Sequence, residues 1–305
     1  MAYGAEIDRL QGLYEEVQSD EEIVGGDSKP EEDILEESEH DSKSEQSDSD
    51  QNDDSYDDVS LSKRLENYVG KSGSSTASVA PRISNGAVAI TTKYLYQAAF
   101  QVGTTLLCGG TVLNTRWILS AAHCFDGANL ANVVVRVGTS GLLIGGTTYT
   151  IATVTVHNLY DINTRIYDVA LVKTTTAIIY GTTILPVVLG ATSAINGAVG
   201  VVTGWGQTTT NPTPPSLNVM NTTVITNSEC ITALVNSPTT TVTTTHMCAK
   251  SLVSGACTGD DGGPLILSNM EIGILSFPQC TPGTPDVYTK IAPVYTWILT
   301  NIPEA

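Results

Sequence analysis

The chain has 305 residues, six cysteines and a formal net charge of −18. Residues 1–82 hold −16 of that charge and residues 83–305 only −2, so the acidity belongs to the front segment. The lack of any basic cluster argues against nucleic-acid binding, and the lack of an eighteen-residue apolar run argues against a membrane span.

Residues 1–82 read as an acidic, disordered propeptide or linker. From Glu15 to Asp58 the chain is rich in Asp, Glu and Ser, with too few apolar residues to offset the entropy of ordering. Blocks such as Ser47-Asp48-Ser49-Asp50 read as a solvated tail, with weak cation binding or phosphorylation as alternatives. Lys71 to Ala80 is a linker of small residues. Met1 to Leu13 shows no apolar core of signal-peptide length.

Residues 83–305 form the second unit, and the expected class is all-β. From Tyr94 onward short strands alternate with turns. Val133 to Val137 reads as a buried apolar run. Ala152-Thr153-Val154-Thr155-Val156 alternates as a half-buried strand does. Gly, Asn and Pro punctuate at roughly ten-residue intervals, as in a barrel, and abundant threonine suits strands. One helix is predicted, at the C-terminus, where Val294, Trp297, Ile298 and Ile302 share a face and Pro293 stands near the first turn.

All six cysteines lie in this unit: Cys108, Cys124, Cys230, Cys248, Cys257 and Cys280. An even count in one domain predicts bridges, and bridges predict an oxidising, extracellular compartment. Buried free thiols in a cytosolic protein are the alternative. Asn221-Thr222-Thr223 is the single glycosylation sequon.

The stretch Cys257-Thr258-Gly259-Asp260-Asp261-Gly262-Gly263-Pro264 resembles the nucleophile loop of the chymotrypsin/trypsin-like serine proteases, peptidase family S1. That family has Gly-Asp-Ser-Gly-Gly-Pro here, with the serine attacking. In this chain the serine position is Asp261. Thr115-Arg116-Trp117-Ile118-Leu119-Ser120-Ala121-Ala122-His123-Cys124 resembles the family's histidine motif and implies His123 as the general base. Tyr167-Asp168-Val169-Ala170-Leu171 resembles the motif carrying the orienting aspartate, here Asp168. Val202-Thr203-Gly204-Trp205-Gly206 resembles a loop beside the oxyanion region, and Ser276 matches a serine bonded to the buried aspartate.

The resemblance covers about residues 83–302. It implies two packed six-stranded antiparallel barrels with a C-terminal helix and the site in the cleft between them. It implies the pairs Cys108–Cys124, Cys230–Cys248 and Cys257–Cys280, and neither metal nor cofactor. The oxyanion hole would be the N–H groups of Gly259 and Asp261. Arg82/Ile83 is the implied activation bond, 40 residues ahead of His123, with the new Ile83 ammonium meeting Asp260. The earlier Ile23-Val24-Gly25-Gly26 reads as coincidence. Gly255, Ser276 and Asp286 would build the specificity pocket, with Asp286 admitting basic side chains or serving only as a surface-loop acid. Pro278, after Phe277, has no N–H to offer a docking peptide strand.

The altered loop decides the functional expectation. An ionised carboxylate only accepts hydrogen bonds and is a poor nucleophile toward an amide. A histidine between Asp168 and Asp261 should be held as imidazolium, which cannot act as a base. The chain is therefore expected to be an inactive serine protease homologue that binds a peptide or protein. Its partners would be cascade proteases, their inhibitors or another extracellular ligand. The alternatives are a secreted endopeptidase with a substituted nucleophile, or a hydrolase using Asp261 itself.

Overall fold

The computed structural model describes residues 87–303, apart from 90–92, 209, 210, 236, 238 and 239. The acidic segment, Ile23 and the Arg82/Ile83 bond lie outside the described residues.

A short strand, β1 (Ala87–Val88), leads into the first barrel. Its strands are β2 (Gln97–Val102), β3 (Thr105–Val112), β4 (Trp117–Ser120), β5 (Val133–Val137), β6 (Thr147–Val156) and β7 (Ala170–Thr174). They close antiparallel in the order β2-β3-β4-β7-β6-β5. After β8 (Val188–Leu189) come β9 (Val199–Gly204), β10 (Asn218–Ile225), β11 (His246–Lys250), β12 (Pro264–Leu267), β13 (Met270–Phe277) and β14 (Asp286–Lys290). The β9–β10 and β9–β12 pairings close these last six into a second antiparallel barrel. β1 adds to β10, and β8 adds in parallel to β13. Closure leaves few free sheet edges.

Apolar side chains on alternate strand positions fill each barrel. Phe100, Ile118, Leu119 and Leu171 are fully buried in the first, with Phe100 edge-on to Phe125 at 5.1 Å. Val202, Leu265, Leu275 and Tyr288 are fully buried in the second. Each such side chain contributes roughly 1.5–3 kcal/mol by leaving water.

Buried polar contacts tie the barrels together. Thr203 Oγ1 donates to Gln97 Oε1 at 2.6 Å, and Thr111 Oγ1 donates to Glu271 Oε2 at 2.6 Å. Burial pushes the Glu271 carboxyl up to about 8, against the lowering effect of the Thr111 bond. At neutral pH it is mainly an uncharged acid, so the interface holds no unpaired anion.

The local expectations fare unevenly. In β5 only Val133, Val135 and Val137 are buried, while Arg136 faces out and bonds Gln101 Oε1 and Gly145 O. In β6 Val154 and Thr155 are half-buried while Ala152, Thr153 and Val156 are exposed, so the alternation over 152–156 does not mark one buried face. A second helix, α1 (Asn227–Ala233), was not foreseen. Its signal is Thr226-Asn227-Ser228-Glu229, a capping box in which Thr226 and Glu229 satisfy each other's backbone N–H. Thr226→Ala is expected to cost about 1 kcal/mol and lower the melting temperature by about 2–4 °C in a thermal scan. The C-terminal helix α2 (Ile291–Asn301) forms where expected, burying Ile291, Val294 and Ile298. Pro293 falls in its first turn, where a missing N–H has no intrahelical partner to lose.

Candidate active site

Chain geometry brings His123, Asp168 and Asp261 together from three separate segments. β4 ends at Ser120, and the short 3-10 turn Ala122–Phe125 then presents His123. The Cys108–Cys124 disulfide staples this turn to β3. Asp168 stands just before β7, after Tyr167, whose φ of 53° bends the chain sharply. The Asp168 side chain is fully buried. Its Oδ1 accepts from the His123 backbone N–H at 2.9 Å, and its Oδ2 lies 2.7 Å from His123 Nδ1. Ser276 Oγ donates to the same Oδ2 at 2.5 Å. Burial alone would raise the Asp168 carboxyl, but the bonds from His123 and Ser276 and the charge on His123 hold it below the usual range.

The loop 257–264 is shaped by its glycines. Gly259 and Gly262 have φ of 97° and 75°, which L side chains rarely adopt. A Cβ at Gly262 would sit 2.3 Å from Ser120 Oγ, so the loop packs flush against the end of β4. Asp261 O accepts from Gly109 N–H at 2.7 Å, and Gly262 N–H donates to Leu275 O at 2.8 Å. The loop is thereby clamped between β3 and β13, and the Asp261 side chain is aimed into the cleft.

That carboxylate bridges two groups. Asp261 Oδ1 lies 3.1 Å from His123 Nε2, and Asp261 Oδ2 accepts from Gly259 N–H at 3.2 Å. One oxygen thus stands where the histidine would meet a nucleophile. The other occupies an N–H assigned above to the oxyanion hole. His123 is consequently flanked by carboxylates on both ring nitrogens. Burial would lower its pKa, but hydrogen bonds and charge from Asp168 and Asp261 outweigh this and raise it to about 9. At neutral pH the ring is an imidazolium, with both N–H groups donating.

Asp260 turns the opposite way. It is buried, and its oxygens accept from Gly206 N–H at 2.7 Å and Cys257 N–H at 2.9 Å. A Cβ at Gly206 would lie 2.4 Å from this carboxyl, which explains the glycine in Gly204-Trp205-Gly206. Burial pushes Asp260 up to about 7, against its two N–H bonds, and the Asp261 charge adds to the rise.

The residues expected at the specificity pocket are placed differently from one another. Ser276 touches Asp168, as above. Asp286 is buried, and its oxygens accept from Ala256 N–H at 3.0 Å and Gln279 N–H at 2.8 Å. Burial raises its pKa to about 7. A Cβ at Gly255 would meet the Thr281 backbone at 3.2 Å, so that position packs against main chain. The three disulfides pair as the resemblance implied. Cys108 and Cys124 surround His123 but have no thiolate to give a metal.

The cleft lined by His123, Gly259 and Asp261 has a volume of about 1030 Å³, with Leu107, Trp205, Phe277 and Pro278 in its walls, while Asp168, Ser276 and Asp286 are buried behind it. It also contains Arg165, which the sequence reading passed over. Arg165 Nη1 donates to Ser276 O, and its guanidinium lies over the Phe277 ring at 4.7 Å. No local pattern announces this contact.

Two closed antiparallel barrels, with His123 in a cleft and backed by buried Asp168 and Ser276, define a chymotrypsin-like fold. Comparison with known proteins gives the same class. The family profile described as Trypsin matches residues 83–298. The chain is 28% identical to Trypsin delta of Drosophila melanogaster, over 72% of this chain and 88% of that protein. It is 34% identical to Serine protease SP24D of Anopheles gambiae, over 72% of this chain and 81% of that protein. The solved structure of neuropsin, a serine protease of mouse brain, superposes with a TM-score of 0.65 at 29% identity, covering 72% of this chain and 99% of that one. The chain belongs to the trypsin family of serine proteases.

Proposed function

We propose that this trypsin-family chain is a non-cleaving serine protease homologue that acts by binding a peptide or protein in an extracellular proteolytic setting. One observation carries the reading: the Asp261 carboxylate spans His123 Nε2 and Gly259 N–H, at 3.1 and 3.2 Å. Acyl transfer needs an alcohol at that point and a free donor for the developing oxyanion. The carboxylate removes the first and fills the second. It also holds His123 in the protonated form, so no base remains at neutral pH. Loss of the nucleophile alone costs about 10⁶-fold in a comparable triad.

Arg82/Ile83 is the activation bond, and the Ile83 ammonium would neutralise Asp260, a buried acid otherwise raised to about 7. The three disulfides favour an oxidising, extracellular compartment. Among the described residues no helix is long and apolar enough to cross a membrane. Candidate partners are cascade proteases and their inhibitors.

One observation favours a second reading, a secreted endopeptidase with a substituted nucleophile. The His123–Asp168–Ser276 bonds of 2.7 and 2.5 Å are those of working machinery.

The test uses the natural chain cut after Arg82. It is expected to show no burst with a peptide ester and no adduct with a fluorophosphonate probe. A covalent adduct mapped to residues 257–264 would overturn the proposal.

A further inference from the structure

We propose that Arg165 is a built-in plug on the strand edge of the cleft, closing it to extended peptides until the side chain is displaced. This rests on the binding reading above and specifies how the groove is guarded.

The argument begins at the end of β13. Its pairing with β14 slips between Leu275 and Phe277, which leaves Ser276 outside the ladder. A main-chain carbonyl left free beside a cleft is what an extended peptide pairs with when it adds a strand. Here that carbonyl already accepts from Arg165 Nη1. The same guanidinium lies on the face of Phe277, the next residue along, with 4.7 Å from its central carbon to the ring centre. Pro278 follows and has no N–H. The edge from Ser276 to Pro278 thus has its acceptor capped, its aromatic covered and one donor missing.

The loop carrying Arg165 is held without help from the guanidinium. Arg165 N–H donates to Asp161 O at 2.7 Å, and Asp161 N–H donates to Ile166 O at 3.2 Å. Asp161 Oδ1 accepts from Asn163 N–H at 2.9 Å, and from Thr164 N–H and Oγ1 at 2.8 and 2.9 Å. Arg165 itself sits at φ 52°, an uncommon conformation for a long side chain. Its carbonyl meets buried His246 Nε2 at 2.9 Å. His246 Nδ1 accepts from Thr243 N–H at 3.1 Å, so the ring proton is on Nε2 and is donated to Arg165 O. The main chain is therefore anchored on the second barrel through its carbonyl. The side chain is half-buried and bound through one neutral acceptor and one ring. It can swing out while the loop stays in place.

The experiment uses the full chain and a fluorophore-labelled, disulfide-stapled trypsin-inhibitor peptide that presents one extended loop, followed by fluorescence anisotropy. Arg165→Asn removes the guanidinium and tolerates positive φ. Arg165→Gly does the same with no side chain, and Arg165→Lys keeps a cation. The Asn and Gly variants are expected to bind the probe about tenfold more tightly than the natural chain, about 1.4 kcal/mol, with Lys between. Unchanged, weaker or undetectable binding by both folded short variants would overturn the plug. Cleavage of the probe by the natural chain, read by mass spectrometry, would instead sink the non-cleaving reading and leave the affinity comparison standing.

Discussion

Asp261→Ser, in the chain cut after Arg82, is expected to hydrolyse a small p-nitrophenyl ester at least ~10³-fold faster than the natural chain. The substitution changes three things at once. It supplies a hydroxyl 138 residues after His123, on a loop already clamped by Gly109 and Leu275. It frees the Gly259 N–H from the Asp261 carboxylate for a developing oxyanion. It removes one of the two acids that keep His123 protonated, so the ring can accept the serine proton near neutrality. Asp168 and Ser276 are untouched and continue to orient the imidazole. Nucleophile loss costs about 10⁶-fold in a comparable triad, so a gain of ~10³ leaves room for imperfect geometry. A small ester is the right substrate because it does not need the Ser276–Pro278 edge that Arg165 covers. A folded variant no faster than the natural chain would mean that residue 261 is not where catalysis was lost.

What could be read from letters was what lies close together in the chain. His123 beside Cys124, Asp168 before an apolar strand and the Gly-rich loop around Asp261 are contiguous patterns, and the fold brings the three together. The all-β class is legible in short strands and regular turn residues, while the two barrels came from the resemblance. Other features depend on partners far away in sequence. Arg165 acquires its role from Ser276, 111 residues later, and from a backbone angle that no local pattern encodes. Glu271 looks like an ordinary surface acid in its strand, and only barrel packing buries it against Thr111. Asp286 was expected to furnish a pocket wall. Only the folded chain reveals that Ala256 and Gln279 N–H groups take both its oxygens. The α1 helix is different, because its Thr226/Glu229 capping box is a local pattern legible in the sequence.

The flanked imidazole also sets a pH dependence of stability. His123 has a folded pKa of about 9, above its ordinary 6.5, so folding favours the protonated ring. The stabilisation is complete below the unfolded value and is lost as pH rises from about 6.5 through 9. The whole shift corresponds to roughly 3 kcal/mol. Asp260 and Asp286, raised to about 7, have largely ionised by about pH 8, whereas Glu271, raised to about 8, is still giving up its proton between pH 8 and 9. From pH 8 to 9 His123 and Glu271 therefore both contribute, and comparison with an Asp261→Asn variant separates the His123 part. There the His123 part should cost the uncut natural chain about 1 kcal/mol in urea unfolding. Asp261→Asn removes one charge facing the ring and should flatten that slope. It should also move the His123 titration, followed by its ring proton resonances, down from about 9 toward the ordinary value. The same slope in both proteins would mean that Asp261 does not hold the imidazolium, and the double-carboxylate account of the silent site would fall.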